Sequence, residues 1–241
     1  MKTSIRFACH ALSLALVACA SHGGQVVPDA RDADERLTPI ARVADERTIP
    51  EIEEAFISAL TPEHNIDSLA AWTAPDGSLW VIATAKATDV LVVYDGATGK
   101  TLRTVGKKGD ALGQFDRPNG VAVIDNVLFV VERDNRRVQM FALPDFTPLA
   151  AFGAEQLKKP YGLWVQNVGD GAYGVYVSDA YMAGEDAEGE DILPPLSALD
   201  ERIKRYVVKP ASHGVDARYI GSFGDTSPKG ALRVVESLWG D

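Results

Sequence analysis

From Ile66 onward the apolar residues come in short runs rich in Val, Ile, Tyr, Phe and Trp, and the same order of runs and turns recurs down the chain. Runs of this length and β-branched content predict strands rather than helices. The first round passes from Ile66-Asp67-Ser68-Leu69-Ala70-Ala71-Trp72 through Leu79 to Lys86 and Val90 to Tyr94, and closes at Val105-Gly106. The second opens with Pro118-Asn119-Gly120-Val121-Ala122-Val123, continues through Val127 to Arg133 and Arg137 to Phe141, and closes at Phe152-Gly153. The third opens with Pro160-Tyr161-Gly162-Leu163-Trp164-Val165, runs through Gly174 to Asp179 and Arg205 to Val208, and closes at Phe223-Gly224. Glu236-Ser237-Leu238-Trp239 repeats the opening of a fourth. Between the runs, Pro75-Asp76-Gly77, Asp95-Gly96-Ala97-Thr98-Gly99 and Gly169-Asp170-Gly171 supply the positive φ angles and side-chain-to-backbone bonds that reverse a chain between antiparallel strands.

The closing glycines stand 47 and then 71 residues apart, and several strands per unit at a period of about 40 to 50 residues is the mark of propeller blades. One four-stranded sheet cannot bury both of its apolar faces, so blades must stack around an axis. The expectation is an all-β chain, a β-propeller of four-stranded antiparallel blades. Residues 66–241 are expected to hold about three blades and the start of a fourth, a truncated part of a closed ring. The longer third interval places an insertion at Met182 to Asp200, where the composition turns acidic and proline-bearing.

Ahead of the repeats, Met1 to Ala20 reads as an export signal, with Lys2 and Arg6 before a short apolar stretch from Phe7 to Val17. Leu16-Val17-Ala18-Cys19 has the form of a lipobox, which makes Cys19 a candidate lipidated residue. The expected location is therefore outside the cytoplasm, as an outer-membrane lipoprotein or a periplasmic or extracellular protein, with the membrane touched only through the lipid. Cys9 falls within the signal, so no disulfide is available to the exported chain. Residues 21–50 are polar and charged and read as a tether. Pro50 followed by Glu51, Glu53 and Glu54 predicts a short helix in the 51–65 lead-in, with Ile52, Phe56 and Leu60 facing inward.

A formal charge of -10 and a pI near 4.9 argue against nucleic acid, because no basic stripe exists to neutralise phosphates. What the repeats do offer is polar chemistry at matching strand ends. The second strands end in Lys86, in Glu132-Arg133-Asp134-Asn135 and in Ser178-Asp179, while the first strands begin with Asp67, Asn119, Tyr161 and Glu236. In a propeller such ends converge on one face of the axis, so cations and carboxylates from different blades would meet there. That combination suits a small phosphate ester held by Lys and Arg, with calcium bridging it to carboxylates and activating a water.

On these elements the chain resembles the bacterial β-propeller phytases, calcium-dependent enzymes that release phosphate from phytate. Asp67-Ser68-Leu69-Ala70-Ala71-Trp72 is similar to the family's opening Asp-Asp-Pro-Ala-x-Trp, Tyr161-Gly162-Leu163 to its Tyr-Gly-Phe, and Glu236-Ser237-Leu238 to its Glu-Gly-Leu. The resemblance implies a monomeric phosphomonoesterase with about six blades. It implies Lys86, Arg133 and Tyr161 as phosphate ligands, Asp67 and Glu236 as calcium ligands, and Glu236 as the catalytic carboxylate that activates water. The sequence departs from the family where Ser68 follows Asp67 and where Ser178-Asp179-Ala180 replaces a lysine.

The second unit also resembles NHL repeats, through Pro118-Asn119-Gly120-Val121-Ala122-Val123 and Glu132-Arg133-Asp134-Asn135-Arg136-Arg137-Val138-Gln139. That likeness implies a non-catalytic propeller binding a protein or envelope ligand, with Asn135 and Arg137 bracing neighbouring blades. Glu185, Asp186, Glu188, Glu190 and Asp191 lack EF-hand spacing and read as a solvated loop. Trp72, Trp80, Trp164 and Trp239 recur at strand positions and are expected in the core.

Overall fold

The computed structural model describes residues 53–211 and 214–230. Three four-stranded antiparallel sheets follow one another along the chain. Blade one is β1 (Ile66–Thr73), β2 (Leu79–Ala85), β3 (Val90–Asp95) and β4 (Thr101–Val105), hydrogen-bonded in that order. Blade two repeats the order with β5 (Pro118–Ile124), β6 (Val127–Glu132), β7 (Arg137–Ala142) and β8 (Thr147–Phe152). In blade three, β9 (Pro160–Gly169) and β10 (Ala172–Asp179) are followed by the small hairpin β11 (Gly184–Glu185) and β12 (Asp191–Ile192). A 3-10 turn at Leu196–Glu201 then leads to β13 (Ile203–Ala211) and β14 (Gly214–Phe223), which complete the sheet. The inserted residues thus stand between the second and third strands of an intact blade. These sheets make the chain an all-β protein built of propeller blades.

Strand alternation explains the stacking. In blade one, Ile82, Leu91 and Val93 face Leu128, Val130 and Phe141 of blade two in one buried cluster. The intervening Phe129, Val131, Val138 and Met140 point the other way, into a second cluster with Val175, Val177 and Tyr206 of blade three. Blade two is therefore covered on both faces, which is why Leu128 to Val131 is apolar without a break. The outer strand β4 is mostly exposed. The first strands β1, β5 and β9 lie side by side on the inner side of the stack. Where β5 passes β9, a Cβ on Gly120 would stand 2.8 Å from the Tyr161 carbonyl oxygen, so only glycine permits that approach.

Turn chemistry acts where the sequence places it. Asp95 Oδ1 accepts the Ala97 and Thr98 amides at 3.0 and 2.8 Å, and Asp76 Oδ1 accepts the Ser78 amide at 3.0 Å. The expected helix in the lead-in is not formed among the described residues 53–61, which are irregular and followed by a 3-10 turn at Pro62–His64. Leu60 does not face inward, being 93% exposed. Phe56 instead lies over Gly99 and, with Leu69, Val81 and Tyr94, lines a groove of about 640 Å³ against blade one. A helix this short is marginal in water on its own, and the ring packs on the Gly99 turn instead. Trp72 is core, but Trp164 is 57% exposed. Its ring packs at a tilt against Tyr176, 5.2 Å between centres, on the face of blade three turned away from blade two. The export signal, Cys19, the 21–50 tether and Glu236 lie outside the described residues. Among the described residues no helix is long and apolar enough to cross a membrane.

Candidate functional site

The three inner strands share one irregularity. Ile66 pairs with Ala85, Pro118 with Glu132 and Pro160 with Asp179, and in each case the register then slips before pairing resumes at Leu69, Val121 and Leu163. A bulge re-aims the side chains within it. Asp67, Asn119 and Tyr161 are thereby equivalent residues, each the first of its bulge.

Two of them meet. The Tyr161 hydroxyl lies 3.4 Å from Asp67 Oδ1, and Lys86 Nζ donates to the same oxygen at 2.8 Å. The Lys86 and Asp67 side chains are only 16% and 14% exposed. The Asp67 hydrogen bond holds the Lys86 ammonium above the usual lysine range, against the opposing pull of burial and of the Arg117 charge. Arg117, immediately before β5, is a second cation near this cluster, and its Nε is buried without a hydrogen-bond partner. Asn119 is wholly buried, and neither its Nδ2 nor its Oδ1 has a partner. Its backbone is held from blade one by Thr84 Oγ1, which donates to the Asn119 carbonyl at 2.6 Å. Thr84 Oγ1 in turn accepts the Ser68 amide at 3.0 Å, as Ser178 Oγ accepts the Gly162 amide at 2.8 Å in blade three.

Arg133 does not join this cluster. It stands at the place equivalent to Lys86, but its Nε donates to Asp134 at 2.6 Å, and it lines a separate cleft with Arg136, Lys158, Lys159, Glu185 and Asp191. Asp179 falls one residue earlier in the register, equivalent to Ala85 and Glu132. There it accepts the backbone amides of Lys158 and Lys159 at 3.1 and 2.7 Å. Burial pushes its carboxyl above the usual aspartate range even so.

Arg137, Asn135 and Glu132 form a clamp. Glu132 is fully buried and accepts Arg137 Nε at 2.6 Å and Gln139 Nε2 at 2.8 Å. The rest of the Arg137 guanidinium bonds the carbonyls of Asp110, Ala111 and Gln114, and Asn135 Nδ2 that of Gly109 at 2.9 Å. These residues tie blade two to the loop arriving from blade one.

Calcium requires about six to eight oxygen ligands from several directions. Among the described residues no three His, Cys, Asp or Glu side chains are grouped to hold a metal ion. Asp67 is the carboxylate of the axial cluster, and Lys86 and Tyr161 already engage it. Glu236, the other calcium ligand the phytase resemblance implies, lies outside the described residues. Asn119 is among the strand starts the sequence singles out, without a role of its own, whereas Arg117 is a member of this site that the strand ends do not reveal. The signal available was a basic residue directly before the inner strand in two blades, Arg117 and Lys159.

No family model matches the chain, and no curated protein matches it. Among solved structures, the computationally designed Ika4 protein is similar over 71% of this chain and 100% of that one, at 16% identity and a TM-score of 0.38. Hydrazine synthase of Kuenenia stuttgartiensis is similar over 71% of this chain and 53% of that one, at 15% identity and a TM-score of 0.37. The Pan2 WD40 domain of Neurospora crassa is similar over 73% of this chain and 60% of that one, at 13% identity and a TM-score of 0.37. This chain thus spans little more than half the length of the last two.

Proposed function

We propose that this propeller is a binding module that takes a phosphate ester, or a small anion of like charge, where its inner strands converge. The observation that carries the reading is a pair of buried, unpartnered groups at the start of β5: the Asn119 amide, in the bulge position equivalent to Asp67, and the Arg117 Nε. Buried polar atoms without partners are rare in folded proteins and mark places where a bound ion or ligand completes the bonding. Lys86 and Arg117 bring two cations to the Asp67 carboxylate, and the Tyr161 hydroxyl adds a donor for a phosphoryl oxygen. Lys86, Arg117, Asn119 and Tyr161 are all hydrogen-bond donors, so binding is the activity these groups support directly. The Arg137 clamp supports the scaffold character that the NHL resemblance implies.

The test is calorimetric titration of the 241-residue chain with phytate in the absence of calcium. Saturable binding is expected, weakened at least about tenfold by Lys86→Ala or Arg117→Ala and reduced by salt. No binding, or binding that both substitutions leave intact, overturns the reading. Phosphate release that depends on added calcium would instead favour the hydrolytic activity implied by the phytase resemblance.

A further inference from the structure

The second cleft, about 580 Å³, lies between blades two and three and is built differently from the axial cluster. Arg133 and Arg136 come from the turn between β6 and β7, and Lys158 and Lys159 from the link between β8 and β9. Four cations are gathered here in a chain whose net charge is -10, one of them, Arg133, already paired with Asp134 at 2.6 Å. The opposite wall is the inserted hairpin, where Glu185 and Asp191 are directly paired residues of β11 and β12. Its tip is preorganised by Asp186 Oδ1, which accepts the Glu188 and Glu190 amides at 3.1 and 2.8 Å.

The hairpin's hold on the cleft is slight. Lys159 Nζ and Asp191 Oδ1 are 3.8 Å apart, with both side chains well exposed, and such a contact contributes roughly 1 kcal/mol or less. Lys158 is turned to Glu201 at 3.0 Å and lies 4.3 Å from the centre of the Tyr181 ring. Arg136 is exposed and makes no ion pair or hydrogen bond among the described residues. With Arg133 on Asp134 and Lys158 on Glu201, Arg136 and Lys159 are the cations best placed for extended carboxylate-bearing chain, and the chain's own acidic hairpin engages only Lys159.

We propose that this cleft docks an acidic peptide segment of a partner protein, with the hairpin Gly184–Ile192 as an intramolecular competitor that the partner displaces. The site is separate from the axial cluster, because none of Lys86, Asp67, Asn119 or Tyr161 lines it. Tethering gives the hairpin a high effective concentration, so its neutralisation strengthens binding in trans even though each contact is weak.

The probe is a fluorescent peptide with the sequence of residues 183–193, and its control carries amides in place of the carboxylates. By fluorescence anisotropy, a Glu185→Gln/Asp191→Asn chain is expected to bind the acidic peptide a few-fold, about three- to fivefold, more tightly than the unmodified chain. Adding Lys158→Ala and Lys159→Ala removes that binding, Lys86→Ala does not, and the amide control stays unbound. On the unmodified chain, saturating peptide speeds amide hydrogen exchange across residues 184–192. Absence of saturable binding to the Glu185→Gln/Asp191→Asn chain overturns the proposal, as does binding indifferent to the two lysines. Binding lost on Lys86→Ala instead would place the peptide at the axial cluster and also overturn it.

Discussion

Tyr161 and Asp67 lie 94 residues apart in sequence, yet the tyrosine hydroxyl stands 3.4 Å from Asp67 Oδ1, and each residue is the first of the bulge in its own inner strand. The bulge is what lets equivalent positions from different blades face a shared space. It also explains why a carboxylate, an amide and a phenol occupy one structural place. The fold needs only the backbone slip there, so the side chain is free to serve a ligand.

The Asp67 partner of Lys86 has a consequence in alkali. Because the hydrogen bond from Lys86 to Asp67 raises the Lys86 pKa on folding, its stabilisation is complete below the unfolded pKa and is lost as pH rises through the folded one. Asp67→Asn should lower stability by about 1 kcal/mol at neutral pH. The urea midpoints of the variant and the unmodified chain should then converge above the folded pKa of Lys86. A gap of constant size across that range would show that Lys86 titration is not coupled to the pair.

The Glu132 clamp should be the most sensitive polar feature of the described residues. Removing Arg137 leaves a carboxylate that is 0% exposed without its cation, a loss of about 3 to 5 kcal/mol. Arg137→Lys keeps the charge but not the forked bonds to Asp110, Ala111 and Gln114, and should recover only part of the loss. Denaturant unfolding of Arg137→Ala, Arg137→Lys and Glu132→Gln measures this order. An Arg137→Ala midpoint within error of the unmodified chain would remove the clamp from the account of how blades one and two are held.

Asp179 should behave in the opposite sense to most aspartates. Burial raises its pKa on folding, so its contribution favours the folded state below the unfolded pKa and is lost as pH rises through the folded value. Asp179→Asn keeps an oxygen to accept the Lys158 and Lys159 amides and removes the buried charge. The variant is expected to be as stable as the unmodified chain or more so at pH 7, with its advantage shrinking as pH falls through the raised folded value and gone below the unfolded value of about 4. An advantage that grew on acidification would reverse the assignment.

Blade architecture was legible because it is local: Asp95 and Gly99 make their turn within five residues, and strand alternation sorts Leu128 and Val130 from Phe129 and Val131. The meeting of Lys86, Asp67 and Tyr161 was legible because the repeat aligns strand ends. Arg133 was not, since its direction is set by the neighbouring Asp134 and by the cleft beside blade three. Nor was the exposure of Trp164, because a strand pattern records that a face is apolar but not whether a neighbouring blade covers it. The lead-in departs from its sequence pattern for a related reason. Ile52, Phe56 and Leu60 have helical spacing, while what holds Phe56 is a turn more than forty residues further along.

That last contact can be tested with one methyl group. Gly99 has φ +70°, and a Cβ there would stand 2.5 Å from the Phe56 ring. Gly99→Ala therefore combines left-handed backbone strain, about 1 to 2 kcal/mol, with expulsion of the ring that anchors residues 53–61 to blade one. Lower stability and faster limited proteolysis within 53–61 are both expected. In Gly99→Ala/Phe56→Ala the steric part disappears, so the added alanine should cost only the backbone strain, less than it does when Phe56 is present. Equal costs in the two backgrounds would mean that the ring yields freely, and that the lead-in is held by something other than this contact.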